Sequence, residues 1–291
     1  MGYSMTARRI VLFGSSGFIG GHVRAALQDA GDLVCPGRDR HDLINGDGTE
    51  LAELLRAEAP DVVVCCVGAL TGSDEDLVRA NAIVAAKLLR AAPSARLVRL
   101  GSAGEYGVVP HGHAVAETDR AEPVGAYGVS HLAGTRLFEL ATQVDAVSLR
   151  VFNPIGAGQP AENVLGRAAH RIRAALRDGR DEIVLGPLGA HRDFVDVRDV
   201  ASLIRAVVLA PTVPNRIYNA GSGRAVTVRD AVAMLAREAG YTGAIREEGA
   251  GPKRSAAVDW IQADIRRAAA DLGWAPAHDL RTSIKNIWAE S

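Results

Sequence analysis

Ile10-Val-Leu-Phe-Gly14-Ser-Ser-Gly17-Phe-Ile-Gly20 is the stretch that decides the fold. A short apolar run ends in a glycine-rich turn, and a helical pattern follows from Phe18 to Ala30. A strand-to-helix turn rich in glycine lets a pyrophosphate approach the backbone. The helix N-terminus then offers unpaired N–H groups and a favourable dipole. The spacing is GxxGxxG rather than GxGxxG, and a plain tight turn would also use glycines. Its place directly after the first strand is what points to a dinucleotide. Gly14, Ser16, Gly17, Phe18, Ile19 and Gly20 are therefore the first cofactor-binding candidates.

Outward from that turn, strand and helix signals alternate. Leu33 to Cys35 reads as a strand, and Leu51 to Glu58 as a helix stopped by Pro60. Val62 to Val67 is apolar throughout, as expected of a parallel strand covered on both faces. A helix over Asp76 to Ala92 is stopped by Pro93, and a strand follows at Arg96 to Leu100. Helix is predicted over Gly125 to Thr142, and strand over Val144 to Phe152. Alternating units of this kind imply an α/β fold, a Rossmann-like doubly wound parallel sheet. Such sheets bind ligands beyond the carboxyl ends of their strands, where the glycine turn, Ser102 and Asn153 all fall.

After Phe152 the pattern changes. A loop marked by Gly156, Gly158 and Pro160 leads to a helix from Asn163 to Asp178 and a strand at Ile183 to Leu185. Helix Val197 to Leu209 and strand Arg216 to Ala220 are expected to rejoin the sheet. Val226 to Ala239 and Asp264 to Leu272 are further helices. This predicts a dinucleotide-binding domain from 1–154 plus 191–221, and a smaller, discontinuous α/β substrate-binding domain from 155–190 plus 222–291.

The bulk numbers exclude several classes. The 291 residues are 48% hydrophobic and 23% charged, ordinary for a globular protein, with a net charge of -1. No global field favours nucleic acid or an acidic membrane. No apolar run approaches the length of a membrane span. Met1 to Arg9 lacks the apolar core of a signal peptide, so a cytoplasmic location is the default. The three cysteines, Cys35, Cys65 and Cys66, read as buried reduced thiols, and neither a disulfide nor a metal site is suggested.

The chemistry is carried by Ser102, Tyr127 and His131. A phenol and a hydroxyl over one carbonyl make an acid/base site for hydride chemistry. Tyr127 and His131, four apart, share a helix face. At the end of the second strand the chain reads Pro36-Gly-Arg38-Asp-Arg40. An acidic residue about 20 residues past the glycine turn would bond the ribose 2′-hydroxyl of NAD. Arg38 stands near that place, and a guanidinium suits a 2′-phosphate, which favours NADP(H) over NAD(H). Asp39 is one step away, and both arginines could be solvated loop charges. Asp42 and Leu43 are candidates to flank the adenine.

With these pieces placed, the chain resembles the extended short-chain dehydrogenase/reductases, the NAD-dependent epimerase/dehydratase superfamily. The resemblance spans nearly the whole chain. It rests on the glycine turn, the Asp61–Leu70 segment, Asn81 within its helix, and Gly101-SAGEYG around Ser102. It continues through Tyr127-GVS-His131, Arg150-VFNPIGAG-Gln159, Arg192-DFVDVRDVA-Ser202 and Tyr218-NAGSG-Arg224. It implies that Ser102 and Tyr127 are the catalytic hydroxyls and that His131 occupies the place of a lysine that binds the nicotinamide ribose. Gly68 and Ala69 would line the cofactor. Ser102, Ala103, Asn153 and Asn163 would lie near substrate, and Arg192 and Arg254 would hold a sugar-nucleotide diphosphate. A homodimer through the fourth and fifth helices is also implied.

Dehydratases of this family carry an Asp-Glu pair directly after the catalytic Ser/Thr. Here those positions are Ala103 and Gly104, which disfavours dehydration; Glu105 is one residue on and should point elsewhere. Histidine, with an ordinary pKa near 6.5, supplies little charge at pH 7. Losing the lysine should hurt alcohol oxidation, which needs tyrosinate, more than ketone reduction, which needs the phenol. The expectation is an NAD(P)H-dependent reductase of a keto group on a nucleotide-activated 4-keto-6-deoxy sugar. A nucleotide-sugar epimerase with tightly bound NAD, a reductase of a non-sugar carbonyl and a non-catalytic NADP(H)-binding protein remain open.

Overall fold

The structure is a computed structural model, which describes residues 8–251 and 257–290. In chain order its elements are β1 (Arg9–Phe13), α1 (Phe18–Leu27), β2 (Asp32–Val34), α2 (Gly48–Glu58), β3 (Val62–Cys65), α3 (Asp74–Val78), α4 (Val84–Ala91), β4 (Arg96–Ser102), α5 (Ala126–Leu140) and β5 (Ala146–Val151). Then come β6 (Pro154–Ile155), α6 (Val164–Asp178), β7 (Glu182–Leu185), β8 (His191–Asp193), β9 (Val195–Asp196), α7 (Val197–Leu209) and β10 (Ile217–Ala220). The chain closes with β11 (Ala225–Thr227), α8 (Val228–Glu238), β12 (Ala244–Glu247), α9 (Arg266–Leu272) and α10 (Leu280–Glu290).

Six strands form one sheet in the order β10-β5-β4-β3-β1-β2, with every pair parallel. Successive side chains leave a strand on opposite faces, so an apolar run feeds two cores at once. Ile10, Leu12, Val64, Val98 and Leu149 enter one core with α1 and α7. Val11, Phe13, Val63, Cys65 and Leu97 enter the other with α2, α4 and α5. This is why β1 and β3 show no polar alternation. β2 and β3 flank β1 on opposite sides, so the strand order reverses there. The carboxyl ends of β1 and β3, aligned as Phe13 beside Cys65, open the crevice expected at such a switch point.

A separate core joins α6, β7, α8 and α10 through Leu165, Ile172, Leu185, Val232 and Ile284. Helix α10 was not expected from the sequence; Ile284, Ile287 and Trp288 give it one short apolar stripe at helical spacing. Two other boundaries differ from expectation. The helix predicted over Asp76 to Ala92 begins at Asp74, capped by Ser73, and is broken by a π turn over Arg79–Ile83. Residues 225–227 are a strand, because they pair antiparallel with His191–Asp193, and α8 starts only after them. Ala268 and Trp274, within the stretch expected to build the substrate-binding part, pack into the core of the main sheet.

Candidate active site

The glycine turn is fixed by steric contact. Gly14 has φ +78°, a conformation side chains rarely adopt, and a Cβ there would lie 2.9 Å from the Cys66 carbonyl carbon. At Gly20 a Cβ would sit 1.9 Å from the Gly14 carbonyl oxygen, so only glycine lets α1 pack onto the turn. Gly17 differs: its nearest contact would be 3.4 Å, and protein packing alone does not demand glycine there. It is the N-cap of α1, with no side-chain cap and no acidic residue in the first turn. Ser16 and Gly17 are exposed, and Phe18 and Ile19 are partly buried. The open backbone at this N-terminus fits a dinucleotide pyrophosphate.

The adenosine end is less uniform. Arg40 is tied to Glu58, which also pairs with Arg9. Arg38 is exposed and, among the described residues, forms no salt bridge. The Asp42 carboxylate is engaged by its own turn, accepting from Asn45 Nδ2 (3.1 Å) and from the Asn45 and Ile44 backbone N–H groups (3.2 and 2.9 Å). These bonds hold it below the usual carboxylate range. Leu43 is turned into the core beside Leu51 and Leu55. Gly68 and Ala69 follow β3. The Ala69 N–H donates to Asn81 Oδ1 (2.9 Å), and Asn81 Nδ2 donates to the Ala69 carbonyl (3.0 Å).

Ser102 ends β4, and Tyr127 and His131 lie on the first turns of α5. The Tyr127 ring lies against Gly104: a Cβ at Gly104 would be 3.2 Å from Tyr127 Cε1 and 3.4 Å from Ser102 Oγ. The three positions thus meet at one place. Ser102 Oγ accepts from the Gly104 N–H at 3.1 Å, which aims its own proton elsewhere. The Tyr127 and His131 rings meet edge to face with centroids 4.7 Å apart. His131 is buried, and its Nδ1 has no partner among the described residues. Burial, aided by the Arg99 guanidinium, pushes His131 down to about 3, so it is neutral at pH 7. An orphaned neutral imidazole nitrogen fits a ribose hydroxyl, as the turn fits the pyrophosphate.

A cavity of about 380 Å³ opens from these residues. Ser102, Ala103, Tyr127, Asn153, Asn163, Arg167 and Arg192 are among the residues that line it. Asn153 Nδ2 donates to the Asp193 carbonyl at 3.1 Å. Asn163 is the N-cap of α6, with no acidic residue in its first turn. Burial pulls Arg192 below its ordinary value, against the opposing charge of Asp259. Two guanidiniums and a helix N-terminus in the lining of one cavity suit a phosphorylated substrate. Arg254 lies outside the described residues.

A model of the NAD dependent epimerase/dehydratase family matches residues 10–221. The chain belongs to that family. It is an NAD(P)-dependent oxidoreductase of the extended short-chain dehydrogenase/reductase type. The chain is 36% identical over 305 residues to a dTDP-6-deoxy-L-talose 4-dehydrogenase (NAD(P)(+)) of Kitasatospora kifunensis, covering 96% of this chain and 94% of that one. It is 28% identical over 300 residues to a GDP-6-deoxy-D-mannose reductase of Pseudomonas aeruginosa, covering 97% of each. Among solved structures, RMD from Pseudomonas aeruginosa complexed with NADPH superposes with a TM-score of 0.84 at 25% identity, covering 98% of this chain and 97% of that one.

Within this epimerase/dehydratase chain, Glu105 does point elsewhere. It is fully buried; its Oε2 accepts from Arg150 Nε (2.8 Å), and its Oε1 accepts from the Ser102 N–H and from Thr135 Oγ1 (3.0 Å each). No carboxylate follows Ser102 into the cavity. Asn81 entered the sequence reading only as part of the resemblance, with no role given to it, and Arg167 did not enter it at all. Asn81 joins the loop after β3 to α5 through Ser130, whose hydroxyl it reaches at 3.0 Å. A polar residue inside an apolar helix, within a π turn, was the available signal. Arg167 joins Arg192 at the cavity and was indistinguishable in sequence from surface arginines.

Proposed function

We propose that this protein is an NADPH-dependent reductase of a keto group on a nucleotide-activated 4-keto-6-deoxy sugar. The observation that carries the reading is the neutral, buried His131 against the Tyr127 ring. A lysine ammonium in that place would favour the tyrosinate, the base that alcohol oxidation requires. A neutral imidazole leaves the protonated phenol, the acid that ketone reduction requires. Two relatives named for 6-deoxy sugars joined to dTDP or GDP, one of them a reductase, support the substrate class. Arg192 and Arg167 beside Asn163 would hold its diphosphate, and Arg38 would pair with the 2′-phosphate of NADPH.

When bound, the reduced nicotinamide supplies the hydride. Tyr127 donates its phenolic proton to the keto oxygen, and Ser102 donates a hydrogen bond to the same oxygen. His131 would hold the nicotinamide ribose. Gly17 and the first N–H groups of α1 would hold the pyrophosphate. We further propose that residues 155–190 and 222–291 form the substrate-binding part on a dinucleotide-binding part of 1–154 and 191–221, and that the enzyme is cytoplasmic. The exposed Val78, Ile83, Val129, Leu137 and Leu140 on α3, the π turn and α5 support a homodimer.

The deciding assay follows NADPH oxidation over a panel of dTDP-, GDP- and UDP-linked 4-keto-6-deoxy sugars. Turnover that drops roughly 100-fold or more in Tyr127→Phe is the expected result. Interconversion of sugar epimers with no net NADPH consumption would instead establish an epimerase. Cofactor binding with no turnover, unchanged in Tyr127→Phe, would establish a binding protein.

A further inference from the structure

Lys87, Lys253 and Lys285 are the only lysines of a chain that otherwise uses arginine as its cation. Lys87 lies on α4 and is half-buried. Its side chain reaches the turn that leads from β2 into α2. Nζ donates to the carbonyls of Leu43, Ile44 and Gly46 at 3.2, 3.1 and 2.8 Å. Among the described residues no other hydrogen bond reaches these three carbonyls, and Lys87 forms no salt bridge. An ammonium spreads three N–H donors tetrahedrally, so one lysine can cap three converging carbonyls. A guanidinium holds its donors in one plane and cannot cap them in the same way.

The capped turn belongs to the adenosine end of the crevice. β2 runs parallel to β1, so its carboxyl end stands beside the glycine turn. In doubly wound sheets the adenosine ribose lies at the end of that second strand. Here the chain bends back at once, and the Arg40 and His41 N–H groups donate to the Gly37 carbonyl at 3.1 Å each. A second bend follows directly. Gly46 N–H donates to the Asp42 carbonyl at 2.6 Å, and a Cβ on Gly46 would lie 2.5 Å from that oxygen. The bends are coupled. After its hydrogen bonds from Asn45 and Ile44, the charge of Arg38 also holds the Asp42 carboxyl below its usual range. Leu43 is sunk in the core, Ile44 is half-buried against it, and Asn45 is exposed.

We propose that Lys87 is a positioning residue for the cofactor: by capping the Leu43, Ile44 and Gly46 carbonyls it fixes segment 37–46 in the shape that receives the adenosine half. Without the ammonium the three carbonyls must turn to water, and the second bend opens. An open bend has to be reordered each time the cofactor binds, at the expense of affinity. The proposal rests on the reading that the end of β2 receives the adenosine, and it is independent of which sugar is reduced.

The test is calorimetric titration of the full chain with NADPH and with 2′-phospho-ADP-ribose, which keeps the adenosine and pyrophosphate but lacks the nicotinamide. Lys87→Met retains the apolar stem and loses the donors; Lys87→Arg retains the charge and loses the tetrahedral cap. Lys87→Met should bind both ligands about tenfold more weakly, and Lys87→Arg should recover little of that loss. Parental affinity in a folded Lys87→Met, even one of lowered melting temperature, overturns the proposal. So does a loss for NADPH that the fragment does not share, or parental affinity in Lys87→Arg. A parent that binds NADH in place of NADPH overturns the cofactor preference proposed above and not this inference; the same variants are then titrated with NADH and ADP-ribose. A parent that binds neither cofactor overturns both. Should Lys87→Met not fold, the parent decides. It is acetylated with acetic anhydride and mapped by mass spectrometry, with the exposed Lys285 as internal reference. Saturating NADPH should slow acetylation of Lys87 relative to Lys285 by about fivefold or more, because binding holds the turn closed on the ammonium. Equal relative rates with and without NADPH overturn the proposal.

Discussion

The glycine turn and the tyrosine face lie on one crevice but are built by opposite means. At the turn, Gly14 and Gly20 are demanded by backbone contacts a few ångströms away, and seven consecutive residues from Gly14 to Gly20 hold the whole device. At the tyrosine face, α5 supplies the phenol and imidazole, and β4 supplies Ser102 and Arg99. The π turn supplies Asn81, and β5 supplies Arg150 and Ser148. The turn is local and steric. The face is distributed and electrostatic, and its character depends on burial that no single segment determines.

Four measurements would break or sharpen that contrast, in descending order of effect. Glu105→Gln should cost roughly 3–5 kcal/mol in chemical denaturation, because it leaves Arg150 buried without its partner. A cost below about 1 kcal/mol would show that the face is not held by charge. Gly20→Ala should cost roughly 1–3 kcal/mol and weaken cofactor binding, because its Cβ collides with the Gly14 carbonyl. Unchanged cofactor affinity would show that the turn is not rigid.

The third concerns pH. Unfolded His131 gains a proton below about pH 6.5, whereas the folded residue remains neutral down to about 3. Its contribution is fully present above the first value. It is lost at about 1.4 kcal/mol per pH unit as pH falls through that window. Melting curves of His131→Gln should show a shallower acid dependence between those limits; a slope equal to the parent's would mean that His131 is not held neutral by burial. Arg38→Ala should have the smallest effect, weakening NADPH binding by about tenfold while leaving NADH binding unchanged. Equal losses for both cofactors would remove Arg38 from the 2′-phosphate.

The main sheet was legible because β1 and β3 are almost wholly apolar and lie in an alternation of strand and helix signals, two of whose helices are stopped by Pro60 and Pro93. The end of the chain was not. Helix α10 carries only a few apolar residues, and β12 is a four-residue strand whose existence depends on its pairing with β7. At the site, Ser102, Ala103, Tyr127, Asn153, Asn163 and Arg192 all line one cavity. Leu43 went into the core instead of toward a ligand, because an apolar side chain after a turn packs wherever the nearest core lies.

By itself the sequence determined the α/β alternation, the glycine turn, the absence of a carboxylate pair after Ser102 and the histidine four residues after Tyr127. Each of these is written in adjacent residues, where chain geometry alone brings the groups together. Only the tertiary structure decided the state of that histidine and the place of Arg99. An imidazole or a guanidinium takes its charge behaviour from what surrounds it. Those surroundings are assembled from β3, β4, β5, the π turn and α5, far apart in the chain and in contact only when the sheet has formed.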